Sequence, residues 1–285
     1  MPIKVMVNGL PGKMAAEVVN CILSGSCNEK GRTKFELVHF SLTGEEITRD
    51  IEENWKASGI LNYMTLIRPG ERLDNLEQLG GYRPFISVDF TQPDAVNDNA
   101  DFYCANNIPF VMGTTGGCRN SLHQRVNGSE ICAVIAPNMA KQIVAFQSMM
   151  RHAAETFPGA FNGYALEITE SHQKGKKDTS GTAKDMVGYF NSLGIPFNEG
   201  QIIKIREPEA QIRMGIPEKY LSGHGWHTYT LKSGDGNVLF QFTHNINGRN
   251  IYASGTLDAV EFLNKKTASG EKGKVYSMED VLIGA

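Results

Sequence analysis

Through the first half of the chain, short apolar runs alternate with polar segments of helix length. IKVMVNG (3–9) predicts a buried strand that ends in a glycine turn. KMAAEVVNCILSG (13–25) repeats its apolar residues at helical spacing, with Gly25 placed as a C-cap. FELVHFS (35–41) predicts the next strand, after a polar connection longer than a minimal loop. PFISVDFT (84–91) predicts another strand, and PDAVNDNADFYCANN (93–107) a helix with Pro93 in its first turn. IPFVMGTTG (108–116) and EICAVIAPNM (130–139) predict two further strand-then-loop units. Strands alternating with helices imply a doubly wound parallel sheet with right-handed crossovers.

The pattern changes after about residue 140. KQIVAFQSMMRHAAETF (141–157) predicts a long amphipathic helix. YALEITESH, QIIKIRE, HTYTLKS, NVLFQFTHNI and NIYASG then read as strands of an antiparallel or mixed sheet. Asp235-Gly236-Asn237 suits a hairpin turn between two of them. LDAVEFLNKK predicts a return to helix. The expectation is an α/β chain of two domains, a Rossmann-type N-terminal one and an α+β one on a mixed sheet.

Composition narrows the function. With 41% hydrophobic and 21% charged residues and a net charge of −3, the 285 residues carry no excess of basic charge for nucleic acid. No run of about 18 apolar residues is present, so no membrane partner is expected. The N-terminus enters a strand at once, which leaves no room for a secretory signal and points to the cytoplasm. The plastid stroma is the expectation if a precursor carried a transit peptide. Five cysteines, an odd number without a CxxC pair, suggest reduced thiols. His224 and His227 form an HxxH, but in a strand context this spacing does not predict a metal site.

VNGLPGKMA (7–15) follows the first strand as GxxGxxA. Gly9 permits a tight turn, Gly12 lets backbone amides approach a pyrophosphate, and Ala15 lets the helix pack on the sheet. Its place on the first βα turn predicts dinucleotide binding. The second strand ends in HFSLTG, which offers the hydroxyls of Ser41 and Thr43 but no acid before Glu45. With Lys13 nearby, NADPH is the preferred cofactor, and Glu45 and Glu46 leave NADH open. GTTG (113–116) and APNM (136–139), with Asn138, are expected to line the same crevice beyond the strand ends.

ESHQKGKKDTSGTAKDM (170–186) gathers a histidine, cations and a helix start. Helix-start amides at Gly181 and Thr182 are oriented to receive an anion, and Lys176 adds a point charge. His172 can move a proton near neutral pH. Lys174 and Lys177 read as surface charges. The set describes a pocket for a carboxylate beside an acid catalyst.

These motifs resemble the dihydrodipicolinate reductase family over nearly the whole chain. The likeness rests on VNGLPGKMA, VDFTQP, VMGTTG, IAPNM, ESHQKGKKDTSGTAKD, HNINGR and YSMEDVL. It implies a dinucleotide domain of residues 1–138 completed by 255–285, and a substrate-binding and oligomerisation domain of 139–254. It implies reduction of a small cyclic dicarboxylate by NAD(P)H in lysine and diaminopimelate synthesis, by a homo-oligomer. His172 matches the family's catalytic acid and Lys176 its catalytic or substrate-polarising lysine. Ser180, Gly181 and Thr182 match the substrate-carboxylate loop, with Gln173 and Arg249 as further substrate contacts. Gly9, Leu10, Pro11, Gly12, Lys13, Met14, Phe90, Gly113, Thr114, Thr115, Ala136, Pro137, Asn138 and Met139 match cofactor contacts. The sequence departs from the commonest bacterial pattern at Gln173, where a second histidine is usual, and at Thr179, which abuts Ser180 directly. Both features, with GHGWHTYTL, look closer to the plant-type branch. The alternatives are another two-domain NADP-dependent reductase, or a non-catalytic NADP-binding sensor.

Overall fold

The computed structural model describes residues 1–25, 33–48, 50–54 and 61–284. The chain divides into two compact units, Met1–Lys141 with Asn250–Ala285, and Gln142–Arg249.

The first unit opens β1 (Ile3–Asn8), α1 (Lys13–Leu23), β2 (Phe35–Val38), β3 (Phe40–Leu42), β4 (Ile51–Asn54), β5 (Leu61–Ile67) and α2 (Leu76–Gly80). It continues with β6 (Ile86–Asp89), α3 (Val96–Ala105), β7 (Phe110–Met112), α4 (Arg119–Asn127) and β8 (Cys132–Ile135). α5 (Lys141–Thr156) leads into the second unit, which holds β9 (Tyr164–His172), α6 (Gly181–Ser192), β10 (Ile203–Ile205), α7 (Pro208–Arg213), β11 (His224–Ser233) and β12 (Leu239–Asn247). α8 (Asn250–Ala268), β13 (Lys274–Tyr276) and α9 (Met278–Ile283) return to the first.

Six strands form one sheet in the order β13-β8-β7-β6-β1-β2, every pairing parallel. Helices cover such a sheet on both faces, so its strands bury both sets of side chains. That is why VMV in β1 and FVM in β7 are continuous apolar runs, with Val5, Val7, Phe110 and Met112 fully buried. Strand order reverses between β1 and β6, and ligands of open α/β sheets bind outside the carboxyl ends at such a point.

Two expected elements differ. FELVHFS is two strands. β2 stays on β1, while β3, beyond His39, pairs with β5 in a separate three-stranded sheet, β3-β5-β4. One apolar run serves two sheets, which periodicity does not reveal. NIYASG is the start of α8, not a strand. Its buried residues continue as Ala253, Leu257, Val260 and Leu263, a helical spacing that a six-residue window is too short to show. Residues 44–83, for which the sequence pattern gave no expectation, include β4, β5 and α2.

In the second unit the sheet order is β10-β9-β11-β12, with β10 parallel to β9 and the other pairs antiparallel. One face carries Ile168, Tyr229 and Leu231, packed with Met150, Ala154, Ala183, Met186 and Phe190 of α5 and α6. The opposite face presents Thr169, Thr228, Thr230 and Thr243, a polar set no helix of this core covers. Asp235 closes the β11–β12 hairpin by accepting from Ser233 Oγ at 2.6 Å and the Asn237 amide at 3.1 Å. Among the described residues no helix is long and apolar enough to cross a membrane.

Gly255 tests how tightly the first unit closes on its C-terminal helix. A Cβ there would lie 1.8 Å from the Met139 carbonyl oxygen. Helix propensity alone would favour alanine by about 1 kcal/mol. Overpacking against backbone outweighs that gain, at about 1–3 kcal/mol or more. Gly255→Ala is therefore expected to lower stability in urea unfolding; a variant as stable as the parent would contradict the contact.

Candidate active site

The first unit builds a cleft at the carboxyl ends of β1, β3 and β6. Its volume is about 440 Å³, and Gly9, Gly12, Thr43, Glu46, Arg72 and Phe90 are among its lining residues. Gly9 has φ +98°, and a Cβ there would sit 2.2 Å from the Phe90 carbonyl oxygen. Only glycine allows that approach. The Gly12 amide donates to Gly9 O at 2.8 Å, and α1 starts at the next residue without a side-chain cap. Its first amides, from Lys13 onward, are left for a ligand, with the positive end of the helix dipole behind them. The residues present therefore fit a dinucleotide pyrophosphate.

The loops around this turn are braced by polar groups. Leu10 is buried; its carbonyl accepts from Thr43 Oγ1 at 2.9 Å and its amide donates to Ser41 Oγ at 3.4 Å. The two hydroxyls expected at the ribose thus hold the glycine turn, and Ser41 is fully buried. Glu46 and Asp94 are the acids that line the cleft. Phe90 reaches the next loop: a Cβ on Gly113 would lie 2.3 Å from its ring. Thr114 is buried, whereas Thr115 is exposed. Ala136 and Met139 are buried, Pro137 is exposed, and Asn138 Oδ1 accepts from the Ala140 amide at 3.0 Å just before α5.

Asp89 joins these loops; it lies in the VDFTQP segment of the family likeness, but no role for it follows from the apolar pattern. Buried at the end of β6, it accepts from the Thr91 amide and hydroxyl at 3.1 and 2.7 Å, Asn99 at 2.9 Å, Tyr103 at 2.8 Å and Thr114 at 2.8 Å. Burial and the neighbouring Asp89 push the Tyr103 phenol well above its ordinary value, so it stays a donor. Asn8 extends the network to Ser87 Oγ at 2.6 Å and to the Leu42 amide at 2.8 Å. Arg72 donates to Asn99 at 2.6 Å.

In the second unit the chemistry gathers at the end of β9. Period-two alternation puts Glu170 and His172 on one face, and register places His227 of β11 opposite Glu170. Gly225 stands opposite His172, and a Cβ there would meet the imidazole at 3.1 Å. His172 Nδ1 faces the His224 carbonyl at 3.1 Å, which assigns the hydrogen to Nδ1. His172 Nε2 lies 3.1 Å from His227 Nε2, and His227 Nδ1 lies 3.2 Å from the Tyr229 hydroxyl. His244 stacks on His227 with ring centroids 4.7 Å apart, and neither of its nitrogens has a hydrogen-bond partner. The HxxH histidines themselves point to opposite faces of β11, where His224 bonds Ser171 at 2.9 Å.

The loop from 173 to 180 folds back on this face. Glu170 is fully buried; it pairs with Arg206 and accepts from the Ser180 amide at 3.1 Å. Arg206 also donates to the Lys176 carbonyl at 2.9 Å. Lys176 is paired with Asp178 at 2.9 Å, while Lys174 pairs with Glu207 at 3.0 Å on the surface. Ser180 is the N-cap of α6 without a side-chain bond, so the Gly181 and Thr182 amides begin an open helix end. Gln173 is partly exposed. Arg249 is partly buried, its guanidinium set against Gly223. Sequence reading missed Glu170, Arg206, His227, His244 and Asp89. The first was legible in the alternation of β9; Arg206, His227 and His244 reach it only through strand pairing, and in the first unit Asp89 draws its partners from α3 and the Thr91 and Thr114 loops.

Burial dominates the electrostatics of the histidines. It pulls His172 down to about 4 from an ordinary 6.5, against the opposing pull of Glu170. His244 is likewise lowered to about 4 by burial, then by His172. His227 is held well below its ordinary value by burial and by His244 and His172. The cluster is neutral at pH 7.

Residues 3–139 match the family model for the N-terminus of dihydrodipicolinate reductase, and residues 142–282 the model for its C-terminus. The chain is 45% identical over 282 residues to 4-hydroxy-tetrahydrodipicolinate reductase 1, chloroplastic, of Arabidopsis thaliana, covering 98% of this chain and 78% of that protein. It is 28% identical over 258 residues to 4-hydroxy-tetrahydrodipicolinate reductase of Natronomonas pharaonis, covering 88% of this chain and 96% of that one. Among solved structures, the dipicolinate-bound dihydrodipicolinate reductase from Paenisporosarcina sp. TG-14 shares the fold. Its TM-score is 0.65 at 23% identity, covering 98% of this chain and 99% of that one.

Two outcomes follow from the geometry. Between pH 6.5 and about 4 the unfolded chain binds more protons at His172 and His244 than the folded one. Stability contributed by these groups is present above pH 6.5 and is lost as pH falls through that window. The slope is at most about 1.4 kcal/mol per pH unit for each histidine. His244→Phe should flatten it by about one proton, read from urea unfolding at several pH values; an unchanged slope would mean that His244 titrates normally. Asp89→Asn should cost at least about 2 kcal/mol, because one amide oxygen cannot satisfy the converging donors. It should also weaken dinucleotide binding measured by calorimetry, and full affinity would show that the loops hold without it.

Proposed function

This chain belongs to the dihydrodipicolinate reductase family, and we propose that His172, Lys176 and the start of α6 carry out its reaction. The protein is an NAD(P)H-dependent oxidoreductase that reduces 4-hydroxy-tetrahydrodipicolinate, in lysine and diaminopimelate synthesis. The observation that carries the site reading is His172 itself. It is held neutral by burial, its Nδ1 tied to a backbone carbonyl, beside a lysine and an open helix start.

The substrate is a cyclic dicarboxylate. One carboxylate exchanges with Asp178 at Lys176, the other pair member being exposed, and takes amide hydrogens from Gly181 and Thr182. Gln173 and Arg249 assist. Entry of negative charge beside His172 raises its proton affinity, so the imidazole gains a proton at Nε2 as the substrate binds. The 4-hydroxyl is lost as water, the hydride adds to the carbon that bore it, the His172 proton goes to the neighbouring ring carbon, and His172 returns to its neutral state. A bound dihydronicotinamide supplies the hydride. Gly9 to Met14, Phe90, Gly113 to Thr115 and Ala136 to Met139 would hold the dinucleotide.

NADPH is the proposed preference, supported by Lys13 at the exposed start of α1. Glu46 in the cleft opposes a 2′-phosphate and keeps NADH in use. The open threonine-rich face of the β9–β12 sheet is the proposed surface for homo-oligomer assembly, as a dimer or tetramer. The chloroplastic relatives support a plastid setting over the cytoplasm.

The test is a coupled assay in which pyruvate, aspartate semialdehyde and a dihydrodipicolinate synthase generate the unstable substrate, with both nucleotides run in parallel. Synthase-dependent turnover is expected. His172→Gln should lower kcat by about 10²–10⁴-fold, with the Kd for NADPH unchanged. A kcat near the parent value would remove the proton role. Tight NADPH binding without turnover in the parent would leave a binding protein.

A further inference from the structure

We propose that Glu170, His172 and His227 form a site for a divalent transition-metal ion of the zinc class, whose occupation stops the reductase by capturing His172 Nε2. The binding half stands on geometry alone; the inhibitory half rests on the acid role given to His172 above.

The pleat and register of β9 and β11 aim the three side chains at one point. One ligand atom from each lies within 4.8 Å of the others. The two Nε2 atoms are 3.1 Å apart. Two zinc–nitrogen bonds of about 2.0–2.1 Å span that gap at an angle of about 100°, close to tetrahedral. Glu170 Oε2 is 4.0 Å from His172 Nε2. The set spans up to 4.8 Å, so the carboxylate must move by about 0.7–1.5 Å to reach tetrahedral spacing from both imidazoles. Two imidazoles and a carboxylate favour zinc, cobalt or nickel over magnesium or calcium.

The groups behind these ligands are those that fix metal-binding side chains. His172 Nδ1 meets the His224 carbonyl, and His227 Nδ1 meets the Tyr229 hydroxyl. Each ring can keep its hydrogen on Nδ1 and turn an Nε2 lone pair inward. Glu170 is fixed by Arg206 and the Ser180 amide, and His227 by its stack on His244. Without a metal, one of the two facing Nε2 atoms must carry a hydrogen; an ion replaces it. The His172 side chain is 13% exposed, which gives an ion a way in and leaves a fourth position open. Arg206 offsets the charge of Glu170, and Lys176 adds another cation close by. Both weaken cation binding, so occupation is reversible rather than that of a resident cofactor.

Cobalt(II) and zinc(II) titrations of the full chain test the site. One equivalent of cobalt is expected to bind, with visible absorption of a low-coordinate nitrogen and oxygen environment, and to be displaced by zinc but not by magnesium. His227→Gln should weaken zinc binding by more than about tenfold, since loss of an outer-shell partner alone costs about 10–100-fold. It should shift the zinc inhibition curve by the same factor, and EDTA should restore activity in the parent. If His227→Gln does not fold, His172→Gln is read for binding instead. Cys118→Ser, at an exposed thiol, should leave zinc affinity unchanged. Absence of sub-millimolar binding, binding indifferent to both histidines, or binding lost in Cys118→Ser would overturn the site. Binding without inhibition would overturn only its effect. An inactive parent that still binds cobalt through these residues would instead refute the catalytic reading.

Discussion

The second unit depends on one buried carboxylate. Glu170 has no contact with water, and a lone charge there would cost several kcal/mol. Arg206, from beyond the end of β10, meets it, and the Ser180 amide fills the other oxygen. That pairing is weak evidence for stability, because apolar residues of the same volume would often do as well. What it does is geometric. The guanidinium also holds the Lys176 carbonyl, so one ion pair fixes the loop that carries Lys176 and the helix start that follows. It also leaves the His172 face with its own carboxylate already neutralised.

Asp89 does the same for the first unit. It sits where strand order reverses, and its two oxygens join the Thr91 loop, α3 and the Thr114 loop. The glycines supply closeness and the carboxylate supplies fixity. Gly9 and Gly113 let backbone pass within van der Waals range of Phe90, but nothing in a glycine holds a loop in place. Preorganised amides at the start of α1 need both.

The extent to which this was legible follows from the range of each interaction. The parallel sheet, the glycine turn and α6 announce themselves within a dozen residues, by apolar runs, by Gly9 and Gly12, and by Ser180 before a helical pattern. The split of FELVHFS is set by β5, more than 20 residues away in the register that pairs Phe40 with Thr65. NIYASG failed because apolar residues alternate at short range in a helix as well as in a strand. Ser41 and Thr43 were placed correctly at a strand end, yet their hydroxyls turn to Leu10. A sequence can put a hydroxyl near a ligand, but the nearest unsatisfied backbone group often claims it first.

His227 shows the same limit with more consequence. In the sequence it belongs to an HxxH, a spacing that would set it beside His224 on a helix but not on a strand. A strand sends residues three apart to opposite faces, so the pair is divided. His224 goes to Ser171 on one side, and His227 goes to His172 and His244 on the other. The result is a column of imidazoles too buried to hold charge at rest. At neutral pH a proton enters it readily only where negative charge comes close, and the Glu170 carboxylate beside it is already paired with Arg206. Burial is the largest cause of that neutrality, so negative charge placed beside the column is what would raise the proton affinity of His172.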